Sequence, residues 1–356
     1  MGLFLLISAV IWGIGWKMGT PRQARWLLIG LLYVLIVALL VVLPQGAALR
    51  ATLGGSPGNW LALGALVGLG FAYSMGLQRL RAMVRPENRP VEDAPAAPPE
   101  PAGDGPLTDT ELDRYARHIV LRELGGPGQR ALRRARVLVV GAGGLGAPVL
   151  HYLTAAGVGL IGVIDDDTVS LSNLQRQVIF GTDDIDRPKV FAARDAMARL
   201  NPHVAVRCYN RRLTPDIATE LAGEYDIVID GSDNFATRDL VNRACVAAGV
   251  PLVSGAIAQW EGQVGVYAPA RGGPCYACVF PQAPAPGSAP SCAEAGVIGP
   301  LPGVIGSMMA AEAMKLIAGA GTPLIGRLVI FDALEGESRS IAVARRDDCP
   351  VCGGTA

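Results

Sequence analysis

The feature that most narrows the fold is one short run, Arg136-Val-Leu-Val-Val-Gly141-Ala-Gly143-Gly144-Leu-Gly146. An apolar stretch bounded by glycines predicts a strand buried on both faces, as parallel strands are. Parallel strands cannot be joined by tight hairpins; they need crossovers of a dozen residues or more, usually helical. This part of the chain is therefore expected to be α/β, a Rossmann-like doubly wound sheet. The G-x-G-x-x-G opens a helix whose N-terminal N–H groups and dipole suit a phosphate. On its own the motif fits NAD, FAD and S-adenosylmethionine enzymes equally. A second strand, Leu160–Ile164, leads into Asp165, where a ribose-binding carboxylate is expected.

Beyond Asp165 the pattern leaves the dehydrogenases. Residues 167–177 (DTVSLSNLQRQ) are polar and carry Arg176, and Lys189 follows thirteen residues later. A further strand over 225–230 runs into Gly231-Ser232-Asp233-Asn234. An acid at the C-terminal end of such a strand faces the crevice where open α/β sheets bind ligands. One Arg, one Lys and one Asp near a phosphate loop suit a triphosphate with Mg²⁺: the cations offset phosphate charge and the carboxylate holds the metal. A nicotinamide needs none of them. Upstream, Thr108 and Glu111 match a capping box. Leu112, Tyr115 and Ile119 predict one buried helix face, with Arg114 and Arg117 on other faces.

Charge divides the chain. Its 31 basic and 31 acidic residues cancel, which excludes a generic basic nucleic-acid binder and an acidic disordered chain. Residues 1–85, however, hold seven Lys/Arg and no Asp or Glu, so the remainder nets −7. Three apolar runs, 1–16, 26–43 and 60–77, predict two or three transmembrane helices, with Trp60 and Tyr73 as interfacial anchors for the third. Lys17, Arg22 and Arg25 flank the first two runs and Arg79, Arg81 and Arg85 follow the third, against Arg50 alone in the intervening loop. The positive-inside rule then places everything after residue 77 in the cytoplasm, at the cell (inner) membrane. No ionisable residue lies inside the second or third run, so a tether is expected and not a transport path. Residues 86–106, with seven prolines, read as a semi-extended spacer. The domains are thus an anchor over 1–85, a linker over 86–106 and a folded body over 107–356.

Taken in order, GAGGLG, DDDTVSLSNLQRQ, RPK, DGSDN, CYAC, SCAEAGVIGPLPGVIGS and CPVC resemble the MoeB/ThiF/HesA family, ancestors of the ubiquitin-activating enzymes, over roughly 108–352. The resemblance implies an adenylyltransferase that binds ATP and Mg²⁺ and adenylates the Gly-Gly tail of a ubiquitin-like sulfur-carrier protein. It implies Gly141, Gly143, Gly144 and Gly146 at the nucleotide, Asp165 at the ribose, Asn173, Arg176 and Lys189 at the phosphates, and Asp233 at Mg²⁺. Arg117 is the match to an arginine that reaches the partner subunit's ATP site, which requires a homodimer; His118 stands where the family more often has Gln.

The cysteines fit the same picture. A body facing a reducing compartment is not expected to form disulfides. Cys275-x-x-Cys278 and Cys349-x-x-Cys352 suit a closed, structural four-thiolate zinc site; redox pairs or unpaired thiols are the alternative. The resemblance supplies the fold that would join pairs so far apart. Cys208 and Cys245 read as small core residues. Cys292, in a Pro/Ala/Gly/Ser loop, matches a region where ubiquitin-activating relatives carry a thioester-forming cysteine. The chain ends four residues after Cys352 with no rhodanese-like domain, so the sulfur donor is expected to be a separate protein. The alternatives are adenylation of another protein or peptide C-terminus, action on a tRNA base, or a non-catalytic membrane scaffold. The −7 body offers no basic surface for nucleic acid.

Overall fold

The structure, a computed structural model, describes residues 2–18, 20, 22–44, 48–53, 56–84, 105–283 and 296–353. It divides into two units, Met1–Ala94 and Pro95–Ala356, and the division falls inside the proline-rich stretch. Cys292 and most of the 86–106 linker lie outside the described residues.

The first unit is helical: α1 (Gly2–Lys17), α2 (Arg22–Val42), a short α3 (Ala48–Thr52) and α4 (Pro57–Val84). Each apolar run is a helix, and α4 extends past residue 77. Ala24–Val42 has a mean hydropathy of 2.6 and, at 1.5 Å per residue, is about 28 Å long. Trp60 departs from the anchor expectation, because its ring is fully buried. It packs edge-on against Phe4 at 5.2 Å and at a tilt against Tyr33 at 5.9 Å. Its indole N–H donates to the Leu53 carbonyl at 3.2 Å, so the polar end needs no interface. Tyr73 is exposed.

The second unit is built on an eight-stranded sheet in the order β3-β2-β1-β4-β5-β6-β7-β8. The strands are β1 (Arg136–Val140), β2 (Leu160–Ile164), β3 (Ala205–Tyr209), β4 (Ile227–Asp230), β5 (Leu252–Ala258), β6 (Glu261–Tyr267), β7 (Arg327–Asp332) and β8 (Glu337–Ala342). The first five are parallel, in the order 3-2-1-4-5 found in Rossmann-like sheets. The sheet is not doubly wound throughout: β6, β7 and β8 are antiparallel, so it is mixed. The cause is local. Only Gln259 and Trp260 join β5 to β6, and two residues can make a hairpin but never a parallel crossover. Gln259 takes the φ of +44° that the turn demands.

Helices α5 (Asp109–Ile119), α6 (Gly125–Arg134), α7 (Gly146–Ala156), α8 (Lys189–Leu200), α9 (Pro215–Gly223), α10 (Phe235–Ala248), α11 (Tyr276–Val279) and α12 (Pro300–Ala318) complete the unit. Besides Ala24–Val42, α12 is the other described helix long and apolar enough to cross a membrane. It is instead a core helix, with Leu301, Ile305, Met309 and Ala313 buried under β5 and β6. The capping box forms as expected: Glu111 N–H donates to Thr108 Oγ1 at 3.3 Å, and Thr108 N–H to Glu111 Oε2 at 2.9 Å. The buried face of α5 differs. Glu111 and Tyr115 are buried, Ile119 is half-buried and Leu112 is exposed. Glu111 pairs with Arg133 at 3.1 Å, and the Tyr115 hydroxyl accepts from Asn201 at 2.8 Å. These two polar anchors turn the helix away from its apolar periodicity.

Candidate functional site

The loop after β1 is shaped by what its glycines exclude. Gly141 has a φ of +88°, a left-handed conformation that favours glycine. A Cβ on Gly146 would lie 1.9 Å from the Gly141 carbonyl oxygen, so α7 can start this close to the strand only with glycine there. Among the described residues no side chain caps the start of α7, which leaves its first N–H groups for an anion. The loop borders a cleft of about 800 Å³ at the C-terminal ends of β1, β2 and β4.

The predicted residues converge there. Gly141, Gly143, Gly144, Asp165, Arg176, Lys189 and Asp233 all line the cleft. Gly146 stands behind the loop, and Asn173 does not line the cleft. Asn173 reaches it through Arg176, whose NH2 donates to Asn173 Oδ1 at 3.3 Å. Asp165 follows β2, and its oxygens accept from the Ala142 N–H at 2.7 Å and the Asp167 N–H at 2.8 Å. Burial pushes its carboxyl above the usual carboxylate range, and the nearby Lys189 charge only partly offsets this. Lys189 starts α8 nearly buried, with Nζ 2.8 Å from Asp167 Oδ2. Asp167 thus holds the lysine inside the cleft.

The two acids of the 230–234 segment separate. Asp230 ends β4 fully buried and accepts from the Ser232 N–H at 2.9 Å and the Ser254 hydroxyl at 3.4 Å; burial raises its carboxyl. Asp233 is exposed in the cleft and has no hydrogen-bond or ion-pair partner among the described residues. It is therefore the acid available to a ligand. Two buried cleft atoms, Gln177 Oε1 and Ser232 Oγ, also lack partners among the described residues, as expected of groups that await one. Arg238 also lines the cleft and passed unnoticed in the sequence; its place four residues after the helix-capping Asn234 was the only available signal. Arg117 is exposed on α5 and does not line this chain's own cleft.

A second cluster lies on α11 and the C-terminal segment. The sulfurs of Cys275, Cys278, Cys349 and Cys352 all lie within 4.8 Å of one another and are buried. The distances Cys275–Cys278, Cys275–Cys349 and Cys278–Cys352 are 3.8, 3.6 and 3.5 Å. A disulfide needs about 2.05 Å, so these are not disulfides. Thiolates about 2.3 Å from one tetrahedral ion would lie roughly 3.8 Å apart, so the cluster fits such an ion. The Arg346 N–H donates to Cys278 Sγ at 3.4 Å, the kind of support metal-bound thiolates receive. Cys208, half-buried in β3, and Cys245, buried in α10, take the packing roles expected of them.

The sheet, its glycine loop and the charged cleft at its strand ends are those of the α/β nucleotide-binding class. More narrowly, the chain belongs to the ThiF family, whose model matches residues 115–351. It is 54% identical over 250 residues to the sulfur carrier protein adenylyltransferase of Thermus thermophilus, covering 69% of this chain and 92% of that protein. It is 46% identical over 250 residues to the molybdopterin-synthase adenylyltransferase of Escherichia coli, covering 69% of this chain and 98% of that one. A crystal structure of E. coli MccB with ATP superposes with a TM-score of 0.58 at 26% identity, covering 68% of this chain and 74% of that chain.

Proposed function

We propose that this chain is an adenylyltransferase that uses ATP to activate the C-terminal Gly-Gly carboxylate of a ubiquitin-like sulfur carrier, in biosynthesis of the molybdopterin or thiamine type. The observation that carries the reading is the convergence of the glycine loop, Asp165, Arg176, Lys189 and Asp233, which has no partner among the described residues, on one cleft. It occurs in a chain that matches 92% of the length of a sulfur carrier protein adenylyltransferase. An oxygen of the tail carboxylate attacks the α-phosphorus, the bond to the bridging oxygen breaks, and pyrophosphate leaves with the electron pair. The product is an acyl-adenylate.

The loop N–H groups would cradle the phosphates, and Asp165 would accept from the ribose hydroxyls. Arg176, oriented by Asn173, and Lys189, released from Asp167, would offset charge on the reacting phosphates. Asp233 is the ligand we assign to Mg²⁺, which when bound would neutralise charge on the departing pyrophosphate. The four cysteines would hold a structural Zn²⁺. Arg117, exposed and away from its own cleft, would complete the cleft of a second copy, making the working unit a homodimer.

We further place the first unit in the cell membrane and the second in the cytoplasm. The uneven distribution of basic residues over 1–85 supports this. So does the exposure of Leu27, Leu31, Val34, Val41 and Val42 along α2, a stripe that water disfavours and lipid accepts.

The test of the chemistry is carrier-dependent exchange of pyrophosphate into ATP. Exchange should require a Gly-Gly-ended carrier and disappear in Asp233→Ala. Undiminished exchange in that variant would sink the assignment.

A further inference from the structure

We infer that Arg238 is a positioning residue for Asp233, and that it ties the cysteine cluster to the nucleotide cleft. The inference rests on the role of Asp233 proposed above. Arg238 lies in the first turn of α10, and its Nε and NH2 donate to the Ser232 carbonyl at 3.2 and 2.7 Å. That carbonyl belongs to the peptide leading into Asp233. The preceding peptide is held too, because the Ser232 N–H donates to Asp230 Oδ1 at 2.9 Å. Two successive peptide planes before Asp233 are therefore pinned. Asn234, just after it, caps α10 by accepting from the Thr237 N–H at 2.9 Å.

The Arg238 charge also acts on the Tyr276 side chain, and Tyr276 lies between Cys275 and Cys278. One turn further along α10, Asn242 accepts from the Tyr276 N–H at 2.8 Å and donates to Cys275 Sγ at 3.8 Å. Tyr276 is itself wedged against Tyr267 and Phe280, with ring centroids 5.5 and 4.8 Å away. One face of α10, positions 238 and 242, thus joins the segment bearing Asp233 to the short helix α11, which bears two of the four thiols. A carboxylate that must meet a metal and a phosphate gains from such support, since misplacement by about 1 Å costs roughly a hundredfold in rate. Arg238 also offsets the buried Asp230 charge. A purely electrostatic role there would need only a positive charge, whereas positioning needs the fork of donors on Ser232.

The experiment measures carrier-dependent ATP–pyrophosphate exchange, zinc per chain and Tm for the full chain in detergent. Arg238→Met should lower kcat about 10- to 100-fold while zinc content stays at the wild-type level. Arg238→Lys should recover Tm but not the rate, because one ammonium cannot reproduce the fork. Tyr276→Phe keeps every cysteine and should lower the rate severalfold, with no further loss when combined with Arg238→Met. A rate within twofold of wild type in Arg238→Met, full recovery by lysine, or a silent Tyr276→Phe would each overturn the inference. If Arg238→Met does not fold, the lysine and phenylalanine variants decide the question. Exchange retained in Asp233→Ala counts against the proposed reading of the cleft. Exchange lost there but intact in Arg238→Met counts against the role of Arg238 alone.

Discussion

Gly146→Ala separates two reasons for a glycine in a phosphate loop. An added Cβ would lie 1.9 Å from the Gly141 carbonyl oxygen and 2.9 Å from its carbonyl carbon. Close carbon–oxygen contacts run at about 3.3 Å or longer, so the first turn of α7 must retreat by roughly 1.4 Å. Neither side has a flexible end to absorb the move. The obstacle is backbone, and α7 is locked by the fully buried Val149, Leu150 and Leu153. Overpacking of this kind costs about 1–3 kcal/mol, and a backbone clash belongs at the upper end. For a body of this size, a loss of about 3 kcal/mol lowers Tm by roughly 6–12 °C. Gly143→Ala is the counterpart. The nearest atom to its Cβ is Gln177 Nε2 at 3.7 Å, an ordinary contact, yet Gly143 lines the cleft. Its Tm without nucleotide should stay within about 2 °C of wild type, while the stabilisation conferred by MgATP should shrink. Thermal unfolding of the three proteins with and without MgATP distinguishes the two. A wild-type Tm for Gly146→Ala, or an equal loss in Gly143→Ala, would refute the packing argument.

Metal analysis should find about one zinc per chain, and Cys275→Ser should lose it together with several kcal/mol of stability; a fully stable, metal-free native protein contradicts the site. Glu111→Gln should destabilise at pH 7 by about 2 kcal/mol. Burial pushes Glu111 up, but the Thr108 hydrogen bonds and the Arg133 charge outweigh it and leave the carboxyl lowered. A lowered carboxyl stabilises above its unfolded pKa of about 4.3, and that contribution is lost as pH falls through the folded value. The Tm gap between wild type and Glu111→Gln should therefore close below roughly pH 4; a gap independent of pH argues for a packing effect instead. Arg117→Ala and Asp233→Ala should each be inactive and recover partial exchange when mixed, through hybrid dimers with one intact cleft; no recovery in any mixture removes the role in trans. Protease treatment of inside-out vesicles should degrade the second unit, and protection there would reverse the proposed topology.

Much of the cleft was legible because its signals are local. A glycine loop needs its glycines within a few residues of the strand end. Lys189 opens a helix and Asp233 sits just past a strand end, where side chains reach the crevice of an open sheet, and Arg176 follows a short turn at Leu171–Asn173. The capping box formed for the same reason: Thr108 and Glu111 satisfy donors within one helical turn. Less local questions were misjudged. Leu112 fits the apolar period of α5 but lies exposed, because Glu111 and Tyr115 find polar partners in Arg133 and Asn201, far along the chain. Trp60 looked like a lipid-surface residue until Phe4, Tyr33 and the Leu53 carbonyl enclosed it.

Residue types and short spacings alone imply an α/β body behind an apolar N-terminal segment, a phosphate loop, an acid for the ribose and two thiol pairs. Each follows from backbone conformation and one-sided burial over a handful of residues. Three things were decided only by tertiary structure. The sheet turns from parallel to antiparallel at the hairpin of Gln259 and Trp260. The two C-x-x-C pairs, 70 intervening residues apart in sequence, meet with Cys275–Cys349 and Cys278–Cys352 sulfurs 3.6 and 3.5 Å apart. Of two acids three positions apart, Asp230 is buried and Asp233 is left open to the cleft. Closure of a long loop and burial of a charge are settled by what the rest of the chain packs around them, and no local pattern carries that information.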